Sequence, residues 1–178
     1  MTHEDRLIKQ IKNGKREYLD ELIELYYPAI LRYCLWHMPD QESAQDATQE
    51  TFLKLVRFID RYEHRGQFRA FLYRIAANTC IDMKRNTSMS EQMLNTESEF
   101  GCYIQAICYA EQGFSVVEDK QQLAAAYAGL DNVQRELVLL RYGQELTMRE
   151  ISMVTGLPLR TVQTKLRRTL KQMREVLK

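Results

Sequence analysis

The chain has 178 residues, is 45% apolar and carries only seven Gly and three Pro, which leaves room for one or two small domains and favours helix. No apolar run approaches a membrane span and MTHEDRLIKQ is not a signal peptide, so membrane insertion is excluded and a cytoplasmic setting is expected. Net charge is only +1, but it is uneven: residues 1–85 carry +1, residues 86–118 carry −5 and residues 119–178 carry +5, an asymmetry that suits a nucleic-acid partner at the C-terminal end.

The four cysteines (Cys34, Cys80, Cys102, Cys108) form no CxxC pair and read as reduced, mostly buried thiols. Cys102 and Cys108, with five residues between them, could pair or share a metal, but no His lies nearby and structural zinc wants four closely spaced ligands, so no metal site is expected.

In chain order, His3 to Lys12 is an amphipathic helix with Leu7, Ile8 and Ile11 as its apolar side, ended by Asn13-Gly14. Lys15 to His37 is a longer helix with Tyr18, Leu22, Leu25, Tyr26, Ile30 and Tyr33 inward; Pro28 inside it should bend it or mark a break. Ser43 to Tyr62 follows, with a buried stripe of Ala44, Thr51, Phe52, Leu55, Ile59 and Tyr62. Asp46, Gln49, Glu50, Leu53 and Arg57 share its other face. Carboxylates four apart repel, so the helix gains nothing locally from Asp46 and Glu50. The face is either ordinary solvated surface or a docking patch centred on Leu53. An acid/base or metal pair is excluded, because no His or further acid lies at ligand spacing.

After the turn Glu63-His64-Arg65-Gly66 a helix begins near Gln67. Phe68, Phe71, Leu72, Ile75 and Thr79 should pack, while Gln67, Arg74, Asn78 and Arg85 line an exposed side with Tyr73, Cys80 and Lys84 beside it. Aromatics stack on bases and Asn can hydrogen-bond a base edge, so Tyr62, His64 and this helix suit single-stranded or flipped bases. Phe68 and Phe71 are read as core.

Asn86 to Glu118 is an acidic tether with an amphipathic island at Phe100, Tyr103, Ile104, Ile107 and Cys108. Asp119 to Ala128 is a helix ended by Gly129; Asp131 caps the next, with Val133, Leu137 and Leu140 inward and Gly143 as its stop. Thr147 and Glu150 form a capping box for a helix whose apolar side is Ile151 and Val154. Gly156 supplies a turn and Pro158 suits a helix start. In the last helix Leu159, Val162, Leu166, Leu170, Met173 and Leu177 make one stripe. Arg160, Gln163, Thr164, Arg167, Lys171 and Arg174 fall opposite it, flanked by Lys165 and Arg168. From Leu159 to Lys178 seven Lys/Arg face one acid, Glu175. An apolar-backed helix presenting Arg, Lys, Gln and Thr after a Gly turn reads as the recognition helix of a helix-turn-helix. Arg and Lys neutralise phosphates, and Arg and Gln can read base edges.

Two blocks of the chain also carry a family resemblance. DATQETFLKLVRFIDRY, followed by RGQFRAFLYRIAANTCIDMKR, resembles region 2 of bacterial extracytoplasmic-function sigma factors. LDNVQRELVLLRYGQELTMREISMVTGLPLRTVQTKLRRTLKQMREVL resembles their region 4. The resemblance implies an all-α chain of two small helical domains joined by a flexible linker: region 2 over residues 1–86, a linker over 87–118, and region 4 over 119–178. It implies that Asp46, Gln49, Glu50 and Leu53, with Arg57 on the same face, dock on the clamp of core RNA polymerase. It implies that Tyr62, His64, Arg65, Gln67, Arg74, Asn78, Lys84 and Arg85 meet the minus-ten promoter element. Arg160, Thr161, Gln163, Thr164, Lys165, Arg167, Arg168 and Lys171 would read the minus-thirty-five element. The linker would thread into the polymerase near the RNA exit path. An anti-sigma factor is implied as a further partner, holding the chain at the membrane only if it is itself a membrane protein.

The sequence departs from the family where Phe71 stands for a frequent Trp, Ala77 for a basic residue and His64 for an aromatic, and where the segment between Gly66 and Phe71 is short. These departures bear on which bases are captured. The expectation is a non-enzymatic initiation factor with no cofactor, metal or small-molecule substrate, acting on core RNA polymerase and promoter DNA. The alternatives are a free-standing helix-turn-helix regulator, which would bind duplex DNA without polymerase, and a helical protein-binding adaptor, which would show no salt-dependent DNA binding.

Overall fold

The computed structural model describes residues 3–63, 66–88 and 125–176, and all of its regular structure there is helical. The chain divides into two compact units, Met1–Ala110 and Glu111–Lys178.

The first unit holds α1 (His3–Lys12), α2 (Tyr18–His37), α3 (Gln41–Phe58), a 3₁₀ turn (Ile59–Arg61) and α4 (Phe68–Ser88). At ten residues α1 is too short to hold itself in water. It is fixed by burying Leu7, Ile8 and Ile11, each worth about 1.5–3 kcal/mol. Gly14, at φ 87°, turns the chain toward α2. Asp40 accepts from the Ser43 amide and so starts α3 at Gln41, ahead of the expected Ser43. Small residues let α2 and α3 approach closely: Ala44 and Ala47 are fully buried, and so are Thr48 and Thr51. The two threonine hydroxyls donate to the carbonyls of Ala44 and Ala47, each at 2.7 Å, so neither is buried without a partner. Cys34 on α2 and Cys80 on α4 are buried free thiols with sulfurs 3.9 Å apart. The hydrogen bond from Cys80 lowers the pKa of Cys34 against the opposing effect of burial.

Four expectations change here. Leu25 is 49% exposed and Leu19 is buried instead, because Leu25 lies at the edge of the arc that Leu22, Tyr26 and Tyr33 define. The break allowed for at Pro28 does not occur, since α2 runs on through it to His37; Pro28 sits on the solvent side, as does Glu24, whose carbonyl its missing N–H leaves to water. Tyr73 and Cys80, expected beside the exposed side of α4, are buried. The α3 helix gives way at Ile59 to a 3₁₀ turn, and α4 runs to Ser88, past the expected domain end.

The second unit begins, among the described residues, with a helical turn at 125–128. Then come α5 (Asn132–Val138), a π turn (Leu139–Gly143), α6 (Met148–Thr155) and α7 (Leu159–Val176). Asp131 and Gln134 form a full capping box on α5. Val133, expected inward, is 41% exposed on the first turn of that helix. Leu137, Leu140, Leu146, Ile151, Val162 and Leu166 make the core. A Cβ on Gly143 would come within 3.0 Å of the Leu139 side chain, so the π turn closes most readily there without one. Arg141 fixes the following turn by donating to the Leu146 carbonyl at 2.9 Å.

The linker island at Phe100, Tyr103, Ile104, Ile107 and Cys108, together with Cys102, His64, Arg65 and Leu177, lies outside the described residues.

Candidate nucleic-acid interface

The α6–turn–α7 hairpin is locked by its own side chains. Thr147 and Glu150 make the capping box, and Gly156 adopts the left-handed conformation at φ 71°. Ser152 donates to the Leu157 carbonyl at 2.6 Å, and Thr155 accepts from the Leu157 amide at 3.3 Å while donating to the Ile151 carbonyl at 2.8 Å. The turn therefore has few ways to open, and the angle at which α7 leaves it is set by hydrogen bonds. The Val162 amide bonds to the Pro158 carbonyl, so α7 winds from Pro158.

Val162, Leu166 and Met173 bury the inner stripe of α7, and Thr169 joins them with its hydroxyl donating to the Lys165 carbonyl. Arg160, Gln163, Arg167, Arg168 and Lys171 are exposed, with Thr161, Thr164 and Lys165 half-buried at the margins. Among the described residues none of these cations is ion-paired. A row of unpaired Arg and Lys on a rigid helix is an anion-binding face, and its charge attracts phosphate at long range. Arg149, exposed on the first turn of α6, adds a cation to which the sequence alone assigns no role; in such motifs the first helix crosses the DNA backbone. Gln172, by contrast, is structural: it bonds to the Gly129 carbonyl and to Gln134, tying α7 to the start of α5.

On the first unit Arg74, Asn78 and Arg85 recur at helical spacing along one side of α4, with Gln67 just ahead of the helix and Lys84 adjacent, all exposed. Tyr62 is not on this surface. It is 9% exposed, its ring stacked on Phe71 at 4.6 Å and edge-on to Phe68 at 5.7 Å. Phe68 also meets Tyr26 at 5.5 Å. Burying an aromatic ring against two others releases more water than leaving it to stack on a transient base, so Tyr62 serves as core. Burial and the hydrogen bond to Glu4 push the Tyr26 hydroxyl pKa far up.

Asp46, Gln49, Leu53 and Arg57 are exposed along α3, with Glu50 half-buried. Leu53 is 54% exposed and Phe58, further along the helix, 44%. Behind Glu50 an open groove of about 450 Å³ runs between α3 and α4, lined by Glu50, Lys54, Thr79, Asp82, Met83, Arg85 and Asn86. Lys54 bridges it, donating to Thr79 at 3.2 Å and pairing with Asp82 at 3.6 Å. Among the described residues no group of three or more His, Cys, Asp or Glu could hold a metal, and no helix is long and apolar enough to cross a membrane.

Comparison with known proteins gives matches in both parts of the chain. Residues 22–89 match the model of sigma-70 region 2 and residues 120–173 that of sigma-70 region 4. The chain is 26% identical over 178 residues to the ECF RNA polymerase sigma factor SigW of Bacillus subtilis, covering 96% of this chain and 95% of that protein. It is 27% identical to SigM of the same organism over 143 residues, covering 78% of this chain and 82% of that one. Among solved structures the fold is similar to CnrH in complex with the cytosolic domain of CnrY, at TM-score 0.69 and 19% identity over 96% of this chain and 94% of that one. It is similar too to the sigma factor RpoE from Bartonella quintana in complex with the anti-sigma factor NepR, at TM-score 0.66 and 17% identity over 91% and 97% of the two chains.

Proposed function

The chain belongs to the extracytoplasmic-function sigma factors of the sigma-70 family, and on that premise we propose how its surfaces divide the work of promoter recognition. It binds core RNA polymerase and directs it to specific promoters for transcription initiation. The polymerase makes the RNA; this chain supplies binding surfaces.

Three surfaces carry the reading. The face of α3 bearing Asp46, Gln49, Glu50, Leu53 and Arg57 docks on the polymerase clamp. It pairs two mutually repelling carboxylates with an exposed Leu, a combination that does nothing for an isolated helix and suits a partner that brings cations and an apolar pocket. The α4 face of Gln67, Arg74, Asn78, Lys84 and Arg85 meets the minus-ten element, with His64 and Arg65 just ahead of it in sequence. The α7 face of Arg160, Thr161, Gln163, Thr164, Lys165, Arg167, Arg168 and Lys171 reads the minus-thirty-five element in the major groove, where Arg and Gln distinguish bases and the remaining cations hold phosphates. Residues 1–86 and 119–178 thus act as separate grips, with 87–118 as the tether. Two modest contacts held on one polymerase gain specificity through effective concentration. The site of action is then the cytoplasm. An anti-sigma factor covering these same faces is the regulatory partner, a reading that the similar RpoE structure, in complex with the anti-sigma factor NepR, supports.

The observation that carries this most directly is the unpaired cationic row on a helix whose exit angle is locked at Gly156. Run-off transcription with bacterial core polymerase on a promoter library tests it. Core enzyme should initiate at new, discrete sites when the chain is added. Tight binding to promoter duplex without core, and no change in start sites, would favour the free-standing regulator instead.

A further inference from the structure

The α1 helix and the turn after it lie outside residues 22–89, the span of the region 2 match, yet they make long-range polar contacts with the exit from α3, just ahead of α4. The Lys12 ammonium donates to the Tyr62 carbonyl across fifty positions of sequence. The Arg16 guanidinium pairs with Asp60 at 2.8 Å. Asp60 stands in the 3₁₀ turn Ile59–Arg61. Tyr62 follows at once, and its ring stacks on Phe71 in the first turn of α4. At the other end of α1, Glu4 accepts from Tyr26, whose ring meets Phe68, also in that first turn. Lys12 and Arg16 thus hold the exit from α3, which meets the first turn of α4 through the Tyr62 ring, and Glu4 reaches that same turn through the Tyr26 ring.

We propose that the N-terminal segment is a brace for strand capture, with Lys12 and Arg16 as positioning residues that hold the root of α4 in register with the docked α3. This rests on the reading of α4 as the minus-ten face. The physical logic is that the 3₁₀ turn Ile59–Arg61 and Tyr62 after it lead out of α3, and that the Tyr62 ring seats the first turn of α4. The body of α4 is fixed by buried Phe68, Leu72, Tyr73, Ala76 and Thr79, so what the N-terminal contacts set is the fine position of its first turn, and a displaced Gln67 or Arg74 no longer meets the unpaired strand while polymerase is engaged. Burial of Leu7, Ile8 and Ile11 fixes α1, so Lys12 at its end is anchored, and Arg16 follows in the turn before α2. An exposed ion pair such as Arg16–Asp60 contributes little to global stability, which is why its effect should be seen in geometry and not in melting.

The test uses the full chain assembled with core polymerase and a forked promoter fragment, taken from the run-off library, with its minus-ten strand unpaired and fluorescently labelled. Three quantities are measured: affinity for core, affinity of the holoenzyme for the fork, and the thermal midpoint of the free chain. For Lys12→Met combined with Arg16→Ala, fork affinity should fall about tenfold while core affinity and the midpoint hold. Lys12→Arg should keep wild-type capture. Arg16→Asp alone should weaken capture, and adding Asp60→Arg should restore most of the loss. Variants that capture the strand like wild type, or that lose core affinity and capture in equal measure, overturn the brace. A wild-type holoenzyme that fails to prefer the unpaired strand overturns the assignment of α4, and the brace with it, whereas capture by wild type with no rescue by the charge swap overturns the brace alone.

Discussion

Tyr62 lies nearly flat on Phe71, ring centroids 4.6 Å apart and planes 24° from parallel. The residue that ends the 3₁₀ turn after α3 is thereby packed against the first turn of α4, and the stretch between them is pinched at its base. An aromatic that chemistry alone would allow to stack on a base is spent on closing the protein.

Tyr62→Ala should therefore destabilise the first unit by about 3 kcal/mol, in the range for removing a buried aromatic, while Tyr62→Phe should retain both stability and promoter opening. Urea unfolding followed by circular dichroism, alongside transcription assays, checks this. A stable Tyr62→Ala chain that binds core but cannot open promoters would return Tyr62 to the DNA surface.

Alanine at Arg160, Arg167 or Arg168 should each weaken binding to the upstream element by about 1–3 kcal/mol if the contact is to a base, or lower the salt slope by about one unit if it is to phosphate. Core affinity should not change, since these side chains are exposed and unpaired among the described residues. Titrations of holoenzyme on duplex promoter at several salt concentrations separate the two outcomes. Undiminished transcription from a cognate promoter would refute the assignment.

Asp46→Lys should abolish co-purification with core enzyme. The change leaves the helix no weaker, because a lysine four residues before Glu50 replaces a repulsive pair by an attractive one, a gain of about 0.2–0.5 kcal/mol. Loss of binding by a chain of unaltered helicity would thus report the interface itself. Intact co-purification counts against docking through this face.

Gly156→Ala isolates the backbone. An added Cβ would meet nothing within 4 Å, yet φ is +71°, so the cost of about 1–2 kcal/mol comes from the left-handed conformation alone. We expect a lowered thermal midpoint for the second unit and weakened minus-thirty-five binding, with Gly156→Asn milder in both. Equal stability of the Ala and Gly forms would show that the turn is not held as described.

Cys34 and Cys80 are closed off between α2 and α4, so neither should react with iodoacetamide in the folded chain, and both should react in urea. Mass spectrometry of the alkylated peptides gives the result directly. Prompt labelling under native conditions would mean that the α2–α4 seam opens readily.

Much of this molecule is encoded by neighbours in sequence. The Thr147–Glu150 box, the Gly156 turn and the stripe of Val162, Leu166 and Met173 depend on residues a few positions apart, and such patterns can be read without knowing what lies across the core. The cationic face of α7 follows from the same spacing, because whatever is opposite a buried stripe must face water. The α3 face was legible for that reason too. Leu25 and Val133 were misjudged because apolar character says that a side chain can be buried and not that anything arrives to cover it.

The sequence by itself thus determined the helices, their caps, the charged faces and, through two motif blocks in order, the family. Only the tertiary structure decided that Tyr62 packs against Phe68 and Phe71, that Lys54 spans α3 and α4, and that Lys12 and Arg16 reach Tyr62 and Asp60 at the exit from α3. The reason is that helix periodicity is a local property of the backbone, whereas a partner on another element, here six to fifty residues away, is chosen by how whole helices pack, and polar or aromatic side chains satisfy more than one such choice equally well.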